Sequence, residues 1–178
     1  MPIQECINRI ITNGQAAHLC YVDLDSFKPF NDLYGYGKGD EVLLGLARIL
    51  RNVCDPCCDF VGHIGGDDFM LVLRSSDWRE RLTLLNSHFE DLCRPLYRPD
   101  HIRGGGFQAP DRQGQWRRHD LLSLSVGVVH LLGGPYRFPQ PAYLAELASH
   151  TKHQAKALRG FSIYELEVPN ELTERTEF

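Results

Sequence analysis

Residues 63–69 read His63-Ile64-Gly65-Gly66-Asp67-Asp68-Phe69, with Val61 before them and Met70-Leu71-Val72-Leu73 after. Two glycines and two acids set between apolar runs predict a β-hairpin whose tip carries carboxylates. Glycine lets backbone turn at positive φ and lets a bulky anion come close. Adjacent carboxylates repel one another, so a site that keeps both charged at neutral pH is eased by a cation. A plain surface turn can carry the same four letters, and the turn alone does not decide between the two.

A second acidic segment lies upstream: Tyr21-Val22-Asp23-Leu24-Asp25-Ser26-Phe27-Lys28, continuing through Asn31-Asp32, Gly35, Gly37 and Gly39-Asp40. Leu19 to Leu24 predict a short buried strand with Asp23 and Asp25 at its C-terminal end. Alternation along a strand sends both acids to one side. Lys28 follows within reach of an anion held there through a metal. One or two carboxylates completed by substrate phosphates are the usual surroundings of Mg²⁺.

Set in order, Asp23-x-Asp25-x-Phe27-Lys28-x-x-Asn31-Asp32-x-x-Gly35-x-x-x-Gly39-Asp40, then Gly65-Gly66-Asp67-Asp68-Phe69, resembles the GGDEF domain of diguanylate cyclases. Leu124-Ser125-Val126-Gly127-Val128 resembles a later strand of that family, and Ala155-Lys156 its C-terminal Ala-Lys pair. The wording around Tyr34-Gly35-Tyr36, the hairpin, and Lys152-His153-Gln154-Ala155-Lys156 is similar to a sub-branch in which the domain follows EAL phosphodiesterase and CBS modules. Spread over most of the chain, the set is far more specific than the turn alone.

The remaining pattern fits one α+β domain over residues 1–166, followed by a polar tail at 167–178. A chain of 178 residues is long enough for one substantial core. Glu5 to Asn13 predict a helix stopped by Gly14, and Gly39-Asp40 open another with Val42, Leu43, Leu46, Ile49 and Leu50 on one face. A long helix starts near Asp77, with Glu80 placed to close a capping box, and ends by Pro95. Pro99 to Arg118, holding Gly104-Gly105-Gly106 and arginines 103, 112, 117 and 118, predicts a solvated loop or hairpin. Leu121 to His130 predict a strand, Pro141 to Leu158 a helix, and Phe161 to Leu166 a last strand. The order contains a βαββαβ core of ferredoxin-like type with an extra helix and hairpin, its central sheet mostly antiparallel and flanked by helices. The resemblance implies the same palm-like fold.

Composition narrows the partners. A net charge of −4 supplies no overall basic field, so no nucleic-acid partner is expected. No apolar stretch is long enough to span a bilayer and no signal peptide opens the chain, so the expectation is no direct membrane insertion and a cytoplasmic location, as a whole or as the cytoplasmic part of a larger protein. Cys54-Asp55-Pro56-Cys57-Cys58 contains a Cys-x-x-Cys, but a structural zinc site wants a second pair and the chain has none.

The resemblance implies condensation of two GTP molecules into cyclic di-GMP, a bacterial second messenger, by attack of a 3′-hydroxyl on an α-phosphate. It implies Mg²⁺ or Mn²⁺ held by Asp23, the Leu24 carbonyl and Asp67, with Asp67, Asp68 and Lys28 in catalytic roles. Asn31 and Asp40 match guanine-reading positions, and Lys28 and Lys156 match basic positions near the phosphates. Phe27-Lys28 and Gly65-Gly66 would let backbone approach the nucleotide. The implied active unit is a transient antiparallel homodimer, with EAL and CBS modules covalently attached in a longer protein.

Several positions depart from the family pattern. Asp68 stands where the family has Glu, and one methylene changes reach by about an ångström, a displacement that can cost about a hundredfold. Tyr36 replaces a histidine, His63 an arginine, and Arg159-Gly160 inverts a Gly-Arg pair. At the family's inhibitory product site Asp59 is kept but Pro56 replaces the arginine, so product inhibition there is not expected. Three readings therefore stay open: an active cyclase, a degenerate module that binds GTP and regulates an attached phosphodiesterase, and a purely structural domain. Asp23, Asn31, Asp40 and Asp67 speak against the third; Asp68 and the displaced arginine speak against turnover.

Overall fold

The computed structural model describes residues 3–111, 113–134 and 141–168. Along the chain run α1 (Ile3–Thr12), β1 (Ala17–Asp25), α2 (Phe27–Tyr34), α3 (Tyr36–Val53), β2 (Phe60–Gly65), β3 (Asp68–Leu73) and α4 (Trp78–Cys93). A 3-10 turn at Arg94–Leu96 leads to α5 (Pro99–Gly104), β4 (Gly106–Pro110), β5 (Trp116–Asp120), β6 (Ser123–Leu131), α6 (Pro141–Lys156) and β7 (Ser162–Val168).

The main sheet has the order β2-β3-β1-β6-β7, antiparallel throughout except for the parallel pair β6–β7. Its β2-β3-β1-β6 portion is the ferredoxin-like arrangement expected from the sequence. β7 joins the far edge after α6, and β4 and β5 form a separate antiparallel pair.

Alternation along β1 sends Cys20, Val22 and Leu24 to one face of the sheet and Ala17, Leu19 and Tyr21 to the other. The first face packs on Val42, Leu46 and Leu50 of α3 and on Leu82, Leu85 and Phe89 of α4. The second packs on Ile7 and Ile10 of α1 and on Leu144 and Ala148 of α6. Each fully buried leucine contributes roughly 1.5–3 kcal/mol relative to exposure. β1 is thus covered on both faces and paired on both edges, so any charge it carries is enclosed.

The structure differs from the sequence reading at identifiable points. α2 was not anticipated: eight residues containing Pro29 read poorly as a helix, yet proline is tolerated in a first turn. α3 begins at Tyr36 rather than Gly39, because Gly35 at φ 88° turns the chain directly from one helix into the next. The expected capping box is absent: Asp77 makes no side-chain cap, its carboxylate accepting instead from Ser75 Oγ and from Arg81 Nε at 2.9 Å. The segment expected as loop or hairpin holds a hairpin and also α5, started by Pro99 and closed by Gly105 at φ 65°. β7 runs two residues into the expected tail and buries Val168. Arg112 and residues 169–178 lie outside the described residues.

One half-buried titratable group bears on stability. His18 on β1 faces His130 on β6, Nδ1 to Nδ1 at 2.7 Å, with Trp78 packed on both rings. His130 Nε2 meets Glu165 Oε2 at 3.0 Å, and Glu165 also pairs with Arg79. Burial, and then the neighbouring His130, hold the His18 pKa down to about 4 from 6.5. The folded state therefore favours neutral His18, and that stability is complete above pH 6.5 and is lost as pH falls through about 4. Urea denaturation across that window should show about 2–3 kcal/mol of acid-sensitive stability that is missing in His18→Gln. The same pH dependence in both proteins would contradict this account.

Candidate active site

Asp23 sits where a carboxylate is least at ease, on the central strand and 4% exposed. In register it lies between Asp68 on β3 and Ser125 on β6. All three side chains share the face that α6 covers, and α6 meets them with two lysines one turn apart. Lys152 Nζ stands 3.2 Å from Asp23 Oδ2 and 3.1 Å from Asp68 Oδ1, and Lys156 Nζ stands 2.5 Å from Asp23 Oδ1. The i,i+4 spacing is what places both ammonium groups on one helix face. Lys152 is only 8% exposed and also lies over the Tyr21 ring, 4.4 Å from its centre.

α6 comes this close because β6 carries Gly127. A Cβ there would stand 2.3 Å from Lys152 N and 2.5 Å from Thr151 Oγ1. Asp25, two residues beyond Asp23, is held by Ser123 Oγ and Ser125 Oγ, both at 2.8 Å. Burial raises the Asp23 pKa against the pull of Lys156 and Lys152. Asp25 is raised in the same way, burial outweighing its serine hydrogen bonds. Burial works against the Lys152 charge, yet Asp68 and Asp23 together hold its pKa above the ordinary lysine value.

At the hairpin tip Gly66 turns at φ 58°, and His63 Nε2 reaches the Gly66 carbonyl at 2.9 Å while its ring packs on Phe69. Nothing lies within 4 Å of where a Cβ would stand on Gly65 or Gly66, so the backbone there is bare. Asp67, expected as the metal ligand of the pair, is not part of the lysine cluster; its charge bears on Asp25. Asp68 is the acid brought opposite Asp23, because successive strand residues alternate between faces.

Beyond the turn, Ser26 takes a left-handed conformation, φ 59°, and sends the chain into α2. Phe27 packs against the core. Lys28 points along the helix to Asp32, 3.1 Å away, and that exposed pair keeps it out of the Asp23 cluster. Asn31 Oδ1 is buried without a hydrogen-bond partner, and it stands where a Cβ on Gly39 would be only 1.8 Å away. Asp40 follows Gly39, exposed on α3.

Of the residues singled out in the sequence, Asp23, Asp68 and Lys156 come together here, and Lys152, Ser123 and Ser125 join them without having been expected. The signal for Lys152 was present, since it is one helical turn before Lys156. Arg159, flagged as displaced, lines a separate cavity of about 530 Å³ with Arg94, Tyr97 and Phe161. Asp59 is fully buried and engaged: it accepts from Asp55 N–H at 2.8 Å, from Arg74 N–H at 2.9 Å, and from Arg81 Nη1 at 2.8 Å.

Among the described residues no group of three or more His, Cys, Asp and Glu side chains is arranged to hold a metal ion. The donor chemistry still fits a hard cation whose shell is completed by ligand phosphates. Asp23 Oδ1 is buried and accepts no aligned hydrogen bond, Lys156 meeting it as an ion pair alone. The Leu24 carbonyl follows directly in the chain.

Comparison with known proteins gives the family. The family profile described as "Diguanylate cyclase, GGDEF domain" matches residues 2–99. Diguanylate cyclase DgcM of Escherichia coli is 51% identical over 60 residues, covering 34% of this chain and 14% of its own length. The bifunctional diguanylate cyclase/cyclic di-GMP phosphodiesterase MucR of Pseudomonas aeruginosa is 30% identical over 133 residues, covering 72% of this chain and 19% of its own length. The chain thus spans less than a fifth of either relative. Among solved structures, the GGDEF domain of YfiN from Pseudomonas aeruginosa shares the fold with a TM-score of 0.64 at 20% identity, covering 94% of this chain and 89% of that one. The GGDEF domain of DgcB from Caulobacter crescentus, solved in complex with c-di-GMP, gives 0.58 at 18% identity, covering 91% and 84%. The chain belongs to the diguanylate cyclase GGDEF-domain family.

The engagement of Asp59 yields a prediction. Asp59→Ala would take an acceptor from two backbone N–H groups and from Arg81, which keeps Asp77 and the Val53 carbonyl, and should cost about 2–3 kcal/mol of stability. Urea midpoints at unchanged m report it. A loss below about 1 kcal/mol would mean that Asp59 is free to serve a ligand instead.

Proposed function

We propose that this domain binds GTP with Mg²⁺ or Mn²⁺ and, paired antiparallel with a second copy, joins two GTP molecules into cyclic di-GMP for second-messenger signalling. The observation that carries the reading is buried Asp23 opposite half-buried Asp68, compensated by Lys152 and Lys156, at the strand end of a GGDEF domain. The names of DgcM and MucR support cyclase chemistry as the family's business.

In this reading Asp23, the Leu24 carbonyl and Asp67 hold the metal, which neutralises phosphate charge and eases ionisation of the attacking hydroxyl. Lys156, already against Asp23, offers a positive charge to the phosphates. The bare Gly65-Gly66 backbone leaves room for them. The buried acceptor Asn31 Oδ1 and the exposed Asp40 carboxylate suit the N1 and N2 donors of guanine. Adenine lacks those donors and would leave the buried Asn31 Oδ1 unpaired, a basis for choosing GTP over ATP. Phe27-Lys28, at the start of α2, would offer backbone amides to the phosphates. Asp68 keeps Lys152 in place.

A second reading, a degenerate domain that binds GTP and regulates an attached EAL phosphodiesterase, is favoured by one observation: Lys152 already sits between the two carboxylates. Incubation with GTP and Mg²⁺, followed by chromatography, separates the two, since only the first reading yields cyclic di-GMP. Calorimetry should show GTP bound about tenfold or more tightly than ATP, with Asp23→Asn losing the metal-dependent part. Equal affinity for both nucleotides, or metal-independent binding, would overturn both readings.

A further inference from the structure

Lys152 is the buried lysine among the described residues, and its surroundings are built for an ammonium group. Three partners converge on its nitrogen: Asp23 Oδ2 at 3.2 Å, Asp68 Oδ1 at 3.1 Å, and the Tyr21 ring face at 4.4 Å. An ammonium has three N–H donors and no acceptor: one is hydrogen-bonded to Asp68 Oδ1, while the Asp23 carboxylate and the ring face answer the charge. The backbone fixes the arrangement, because Gly127 seats Lys152 N and Thr151 directly on β6. β1, β3 and α6 each contribute a part.

We infer that Lys152 is a built-in cation of this site, holding the space between Asp23 and Asp68 and competing with divalent metal for Asp23. The inference rests on the proposed reading of Asp23 as a metal ligand. Asp23 and Asp68 face two ammonium groups that neutralise them before any metal arrives, while Asp25 and Asp67 add negative charge beside the cluster. A free divalent ion then gains little and is repelled by both lysines. A metal already carried by a nucleotide triphosphate brings its own negative charge, to which Lys152 and Lys156 can turn. The domain should therefore take metal together with nucleotide and bind bare metal weakly. Asp68 acquires a role that does not need a longer side chain: it anchors Lys152.

Binding of Mn²⁺ alone, with no nucleotide, tests this by electron paramagnetic resonance of the free ion. Lys152→Met should bind Mn²⁺ about tenfold or more tightly than the wild type, and Lys152→Arg, which keeps the charge, should not. Adding Asp23→Asn to Lys152→Met should erase the gain. Lys152→Gln serves in place of the methionine variant if that one fails to fold. A folded neutral variant with wild-type Mn²⁺ affinity overturns the inference. On the wild-type chain, amine labelling read by mass spectrometry should find Lys152 protected in chelator and uncovered by saturating Mn²⁺. Unchanged labelling would equally overturn it. Because no nucleotide is present, failure here is distinct from failure to bind GTP.

Discussion

A carboxylate enclosed on the middle strand of a sheet must be answered by positive charge, and Asp23 imposes that demand on the whole domain. Removing one partner of a buried ion pair typically costs several kcal/mol, about 3–5. The answer comes from α6, whose two lysines one turn apart reach Asp23 and Asp68. That helix can reach only because Gly127 lets it lie on β6. The parallel strand β7 then follows α6 along β6. The C-terminal third of the chain is in this sense built around a charge on β1.

Most of the fold was legible because both of its periodicities are strong. Cys20, Val22 and Leu24 against Leu19 and Tyr21 mark a strand buried on both faces, and Leu82, Leu85 and Phe89 mark a helix with one apolar side. What escaped was short and stabilised by tertiary contact. α2 buries Phe30 in the core and needs no strong propensity of its own, and α5 is six residues between a proline and a glycine. The capping box at Asp77 failed for a related reason: the carboxylate was claimed by Arg81 and Ser75.

The site was legible in outline, through Asp23, the glycine turn and Lys156. Which acid of the Asp67-Asp68 pair faces Asp23 depended on strand register, since one residue's slip exchanges faces. Lys152 could not be singled out as buried, because a lysine on an amphipathic helix is ordinarily solvated. Only the juxtaposition of three elements shows its three partners. Ser123 and Ser125 read as small strand residues, and the carboxylate of Asp25 turns them into donors.

The central claim is that Asp23 is buried in order to meet a cation, with lysines holding its place. Crystals of the domain grown with GTP and Mn²⁺ test it most directly, by the anomalous signal of manganese. The account predicts a peak in contact with the Asp23 carboxylate, with Lys152 turned from its place between Asp23 and Asp68. Nucleotide bound with no metal at Asp23, and Lys152 still bridging both carboxylates, would contradict it.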